Sequence, residues 1–502
     1  MVWGAPDHRH TGKLDCMEES QPAGNRARSR LVVPSRSDVL LRNFTEVAGG
    51  PMGRRSEPGV VSPGPFTVER VLVLLAVLAA LAGVLLKGYC RANGWEPPTH
   101  FYATCYSDFP ELFRSRGLAD GAFPILGGQF EYPVLIALVA GLTAWLVPGT
   151  GASEGRVLAY FDINAVLLAA AAVVTVLATA RISARRPWDA AMVALAPGII
   201  LAGTINWDLW TVCLVAVGMY FFASQRLVPA GILFGLATAT NLYPLLVLAA
   251  ILLLALRTGQ YRPLLVTGAA AAVTWTAVNL PFAAANFSGW SYYFLFSADR
   301  DAGYSSPWFA YNLLAGRLRW PGLSPAAVDL LALTFLALLC ALIAFVALTA
   351  PRRPRLAQLA FLLVAAFILT NKAYSPQFVL WLIPLLALAR PRWRDFLVWQ
   401  GIEGLHWGAV WMYLGQVTSA GSSQHNLDMP YYVLAVAAHM VAVAYLMARI
   451  TWDIYDPTYD PIRRHHVDDP HGGPFSGAPD RFRLSLRRAE HPILPGKDPT
   501  HA

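Results

Sequence analysis

The residues best suited to chemistry sit in one polar stretch of an otherwise apolar chain. Cys105-Tyr106-Ser107-Asp108-Phe109-Pro110-Glu111 leads to Arg114 and Arg116-Gly117-Leu118, and then to Phe130-Glu131-Tyr132-Pro133. Asp108 and Glu131 flank a glycine-rich connection. A carboxylate held near a hydroxyl in a partly dry cleft can act as a general base. The competing reading is a solvated acidic loop, and spacing alone leans that way. Farther on, Glu403 and His406 stand at i, i+3 and share a helix face. Ionisable residues inside a membrane span point to a functional site. A buried hydrogen-bonded pair that fixes helix packing explains them equally well, and both readings stay open. His439, alone on an apolar helix, reads as a packing residue. Trp308 beside Ser305, Ser306 and Pro307 is a candidate for stacking on a sugar. The neighbouring Trp290, Tyr292, Tyr293, Tyr311 and Trp320 read as an interfacial aromatic belt. No cluster of residues suggests a bound metal.

What positions these residues is a set of apolar helices. Hydrophobic residues make up 56% of the 502 positions and charged ones only 14%, and mean hydropathy is +0.44. A soluble domain is about a quarter charged. The net charge of +8 resides in tails and short arginine-rich turns. That is the positive-inside pattern of a membrane protein, and it excludes a nucleic-acid-binding face. Apolar runs lie near 70–87, 158–180, 188–204, 208–224, 264–284, 325–350, 357–371, 376–389, 395–414 and 431–450. Residues 229–256 form a longer run broken by Asn241-Leu242-Tyr243-Pro244, which reads as a short helical hairpin with its tip in a protected cavity.

The run 132–147 is short for a span. Placing it along the interface puts the turns 181–187, 225–229, 257–263, 351–355 and 390–394, with their twelve arginines, on one side. The lysine and arginine bias makes that side cytoplasmic. The expectation is an all-α integral membrane protein of about twelve transmembrane helices, with both termini inside. A large first outer loop, 88–157, holds a juxtamembrane helix. Residues 1–66 and 452–502, rich in charge, proline and glycine, are expected to be disordered cytoplasmic tails around a membrane domain at 67–451. Of five cysteines, only Cys90 and Cys105 fall outside, where disulfides persist, and a bond between them is expected.

Several motifs resemble one family. Tyr106-x-Asp108, Arg116-Gly117-Leu118, Pro124 and Glu131-Tyr132-Pro133 resemble the first outer loop of GT-C glycosyltransferases. The nearest likeness is to the actinobacterial GT87 group of polyprenyl-phosphomannose-dependent mannosyltransferases. Gly231-x-x-x-Gly235-x-Ala237-x-x-x-Asn241-Leu242-Tyr243-Pro244 resembles that family's hairpin. Asn371-Lys372-Ala373-Tyr374-Ser375-Pro376-Gln377-Phe378, followed by Trp381 and Pro384, resembles its late outer turn. The likeness runs over about 68–450.

The resemblance implies a membrane glycosyltransferase in a plasma (inner) membrane, with its active site facing outside. A sugar, mannose by the family's habit, passes from a polyprenyl-phosphate donor to a cell-envelope glycolipid or polysaccharide. Asp108 is then the general base. Glu131, Tyr132, Asn241, Tyr243, Arg300, Trp308, Lys372, Tyr374, Gln377, Glu403 and His406 are candidate substrate or donor contacts. Family members usually carry a lysine where Asn241 stands, so either the phosphate's counter-charge falls to Lys372 or Arg300 or the donor sits differently. A lipid monophosphate leaving group does not strictly require a metal, and no cofactor is expected. Two other classes are a twelve-helix transporter or lipid flippase, and a non-catalytic envelope scaffold. A transporter should show related halves, and none stand out.

Overall fold

The computed structural model describes residues 67–419, 427–463 and 468–484, together with Leu40. The tail expected over 1–66 therefore lies outside the described residues, Leu40 apart. Every regular element among the described residues is helical.

The chain opens with α1 (Val68–Leu86), capped by the Thr67 hydroxyl, which accepts the Arg70 N–H at 3.3 Å. Short helices α2 (Gly88–Asn93), α3 (Thr99–Tyr102), α4 (Asp108–Ser115) and α5 (Val134–Trp145) precede the long α6 (Glu154–Ile182). The fragments α7 (Ala191–Ala194) and α8 (Pro197–Ala202) follow. After them come α9 (Asp208–Ala223), α10 (Leu227–Thr238), α11 (Pro244–Thr258) and α12 (Tyr261–Ala285). Next are α13 (Phe287–Asp299), α14 (Pro307–Leu318), α15 (Pro325–Thr349) and α16 (Leu356–Thr370). The last are α17 (Val379–Ala389), α18 (Trp393–Thr418) and α19 (Met429–Tyr455).

Helices α1, α6, α12, α15 and α19 are long and apolar enough to cross a membrane. Helix α15 turns Leu330, Leu333, Leu338 and Leu342 outward. A large apolar face left bare suits lipid rather than water. The chain is a multi-pass membrane protein. Helix α5, with 12 residues, is about 18 Å long, too short to cross a hydrocarbon core of about 30 Å upright.

Two runs differ from uninterrupted spans. Residues 188–204 break into a 3-10 turn, α7 and α8, because Pro197 cannot continue a helix. The Gly198 N–H at this break donates to Gln400 Oε1 at 2.7 Å, so broken backbone stays satisfied inside protein. The hairpin of α10 and α11 breaks at Asn241, as its sequence suggests. Its two glycines have a packing role. A Cβ on Gly231 would lie 2.4 Å from the Thr267 carbonyl oxygen, and one on Gly235 would lie 2.5 Å from that of Ala271. Only glycine lets the backbones of α10 and α12 approach so closely.

The disordered tail expected over 452–502 is corrected by the structure as far as residue 484, while residues 464–467 and 485–502 lie outside the described residues. Helix α19 continues to Tyr455, and the described residues of 456–484 fold back over the helix ends. Asp460 pairs with Arg355 at 2.8 Å, both fully buried, and Asp480 pairs with Arg257 at 2.8 Å. Asp468 pairs with Arg353, and Asp453 with Arg390. The Arg481 and Phe482 N–H groups donate to the Arg257 carbonyl, each at 2.9 Å. The physical reason is charge complementarity. Buried arginines require carboxylates, and the aspartates that made this segment look solvated supply them.

Candidate active site

The ends of the helices remote from these arginine turns enclose a cavity of about 660 Å³, a size typical of small-molecule sites. Asp108 reaches it from the first turn of α4. The strand before it is held at several points. Cys90 and Cys105 form a disulfide, and Trp95 Nε1 donates to the Cys105 carbonyl at 3.0 Å. The buried Lys87 Nζ donates to the Tyr106 carbonyl at 2.8 Å. Ser107 caps α4, and the Asp108 N–H donates to the Ile205 carbonyl at 2.8 Å, tying Asp108 to the turn before α9.

The Asp108 carboxylate accepts the Tyr132 hydroxyl proton, and Tyr106 also bonds to it. Asn206 Nδ2 donates to the Tyr132 oxygen at 3.3 Å. Burial raises the Asp108 pKa above the ordinary carboxylate value, against the pull of the two tyrosines, Lys87 and Arg300. Burial and Asp108 together hold the Tyr132 hydroxyl well above its usual pKa, so it remains a donor. A carboxylate shifted upward in a cleft is a better proton acceptor than a free one.

The structure brings Asp108, Glu131, Tyr132, Asn241, Arg300, Lys372, Tyr374 and Gln377 to the wall of this single cavity. Their circumstances differ. Glu131 is paired with Arg116. Lys372 Nζ donates to the Ala298 carbonyl at 2.6 Å and to Asp329 at 2.8 Å. Arg300 has no hydrogen-bond partner among the described residues, and its charge acts on Asp108 and Tyr132.

The other candidates stand behind the wall. Tyr243 stacks on Trp381 with centroids 4.6 Å apart. Trp308 donates to the Thr370 carbonyl at 3.0 Å and does not line the cavity. Glu403 accepts from Tyr374 at 3.0 Å and from Trp399 at 2.9 Å, and contacts His439 Nδ1 at 2.9 Å. His406 contacts Ser305 Oγ at 3.0 Å, and the Ser305 N–H donates to Tyr432 at 2.7 Å. Gly303 N–H to the Lys372 carbonyl, 2.6 Å, and Tyr374 N–H to the Tyr304 carbonyl, 3.2 Å, join the two loops. Glu403, His406 and His439 thus buttress the loops that carry Arg300 and Lys372.

Sequence reasoning passed over Asn206, Asp208, Thr240 and Trp411, which also line the cavity. Asp208 was visible only as an acid in a short outer turn.

Residues 130–371 match the model of glycosyltransferase family 87. Over that span the chain is similar to family 87 glycosyltransferases. The span takes in Glu131, Tyr132, Asn206, Asp208, Asn241 and Arg300, while Asp108 lies before it and Lys372 just after. Among solved structures, ArnT from Cupriavidus metallidurans bound to undecaprenyl phosphate is similar at 13% identity and a TM-score of 0.37. That likeness covers 68% of this chain and 72% of the other. No curated protein matches the sequence.

Proposed function

We propose that this protein transfers a sugar, mannose in the first instance, from a polyprenyl phosphate to an envelope glycolipid or polysaccharide. The observation that carries this reading is a half-buried carboxylate, Asp108, sharing one cavity with an unpaired cation, Arg300. Asp108 takes the proton of the acceptor hydroxyl. The hydroxyl oxygen attacks the anomeric carbon, the carbon–oxygen bond to phosphate breaks, and configuration inverts. The polyprenyl phosphate leaves with the bond's electron pair. Arg300, with Lys372 behind it, offsets the charge that develops there. Tyr132 orients the carboxylate, and Glu131 shapes the loop through Arg116.

In this reading residues 67–451 form a GT-C-type domain of about twelve spans in the plasma membrane. The loop 88–157 faces outside and supplies the base, and both termini are cytoplasmic. The test incubates membranes carrying the protein with radiolabelled polyprenyl-phosphomannose and extracted envelope glycolipids. Label should move to a glycolipid. Asp108→Asn keeps shape but loses proton affinity, so transfer should fall by about 10²–10⁴-fold while donor binding persists. An Asp108→Asn protein of near-normal activity would overturn the mechanism.

A further inference from the structure

The buried acids of this protein fall into two groups. At the arginine end Asp460 is paired with Arg355, Asp395 and Asp453 with Arg390, and Asp189 with Arg186, while Asp469 accepts the backbone N–H groups of Leu356 and His471. Around the cavity, Asp108, Asp208 and Glu403 have no lysine or arginine within ion-pair distance among the described residues. Asp108 is the base, and Glu403 is satisfied by Tyr374, Trp399 and His439. Asp208 has no assigned task. It is 5% exposed, yet its side chain borders the cavity.

Asp208 is also held rigidly. Its N–H donates to Asn206 Oδ1 at 3.0 Å, and its Oδ2 accepts from Trp381 Nε1 at 3.2 Å. Trp381 is clamped between Tyr243, at 4.6 Å, and Phe378, at 4.0 Å. A carboxyl group carries two acceptor oxygens, and the Trp381 indole occupies Oδ2. The side chain borders the cavity, where the hydroxyls of a sugar can complete its hydrogen bonding.

We infer that Asp208 reads hydroxyl groups of the transferred sugar and so sets donor-sugar specificity. This rests on the cavity being the sugar-transfer site. In-line transfer places the donor sugar between the base and the phosphate's cation. Asp208 is joined to the base through Asn206 and Tyr132, and to the 371–378 loop through Trp381 and Phe378. A buried carboxyl oxygen accepting from a hydroxyl forms a hydrogen bond whose loss costs about tenfold in affinity.

The experiment measures binding of polyprenyl-phosphomannose and its single-deoxy analogues, in the transfer-deficient Asp108→Asn background, with and without Asp208→Asn. Asparagine keeps an oxygen for Trp381. Without Asp208→Asn, at least one deoxy analogue should bind about tenfold or more weakly than the parent sugar. With Asp208→Asn the parent sugar should weaken similarly, and that analogue should suffer no further loss. Additive losses, an intact deoxy penalty, or no donor binding at all would overturn the inference. Turnover of the single Asp108→Asn protein separates the two readings. Loss of deoxy discrimination with transfer still abolished by Asp108→Asn supports both. Transfer that survives Asp108→Asn removes the base assignment alone.

Discussion

At the scale of single residues, the proposed chemistry turns on how Asp108 is ionised. Burial raises its pKa, so this carboxyl is charged only above a pH higher than that of an exposed aspartate. The rate of transfer should therefore fall as pH drops through that raised value. The acid limb of the kcat profile should lie above the ordinary carboxylate range. An acid limb at the value of a free aspartate would show that Asp108 is not the group titrating. The same shift has a sign for stability: the folded state holds this proton more tightly than the unfolded chain. Its contribution is fully present below the unfolded pKa and is lost as pH rises through the folded one. Glu131→Gln should be mild beside Asp108→Asn, because Glu131 is already committed to Arg116. Initial rates of the two variants check this ordering, and an inactive Glu131→Gln with a normal Asp108→Asn would reverse the roles. Asp108 was legible in the sequence because a polar run stands out in an apolar chain. Asp208 was not, because a lone acid at a turn carries no mark of what it faces.

At the scale of elements, the hairpin of α10 and α11 depends on glycine at the contact with α12. A methyl group on Gly235 would meet the Ala271 carbonyl oxygen at 2.5 Å, whereas one on Gly268 of α12 would meet nothing within 4 Å. Overpacking of this kind costs about 1–3 kcal/mol, and a methyl in open space on a helix stabilises by up to about 1 kcal/mol. Gly235→Ala should lower the thermal midpoint in detergent, and Gly268→Ala should leave it unchanged or raise it. Equal midpoints for both would show that the close approach does not limit stability. The hairpin matters to the site because its tip places Asn241 on the cavity wall. The spacing of Gly231 and Gly235 was visible in the sequence. That they face a helix backbone, rather than lipid or ligand, depends on the register of α12.

At the scale of the whole molecule, one end collects arginine turns and the other collects the cavity. The turns around Arg257, Arg353 and Arg355 converge on the segment after α19, and Arg390 pairs with Asp453 in the last turn of α19 itself. Arg181 reaches Glu69 at the start of α1. If arginine bias sets orientation, the cavity faces outside. Single cysteines at positions 150 and 184, on a background lacking the other cysteines, test this in intact cells. An impermeant thiol reagent should label 150 and not 184. Labelling at 184 would invert the orientation and put the transfer reaction on the cytoplasmic side.

The linear chain alone reveals the class of molecule and the neighbourhood of the proposed base. Apolar runs must leave water, arginines mark one side, and Tyr106-Ser107-Asp108 is polar where its surroundings are not. These are local properties, and composition within a short window carries them. What the tertiary structure decided is pairwise. It set Glu131 against Arg116, Lys372 against Asp329 and Glu403 against His439, leaving Arg300 and Asp208 to face the cavity. It also turned the aspartates after α19 from an apparent tail into partners for buried arginines. A charge looks the same in sequence whether water or another charge neutralises it, and only the packing of distant helices chooses between them.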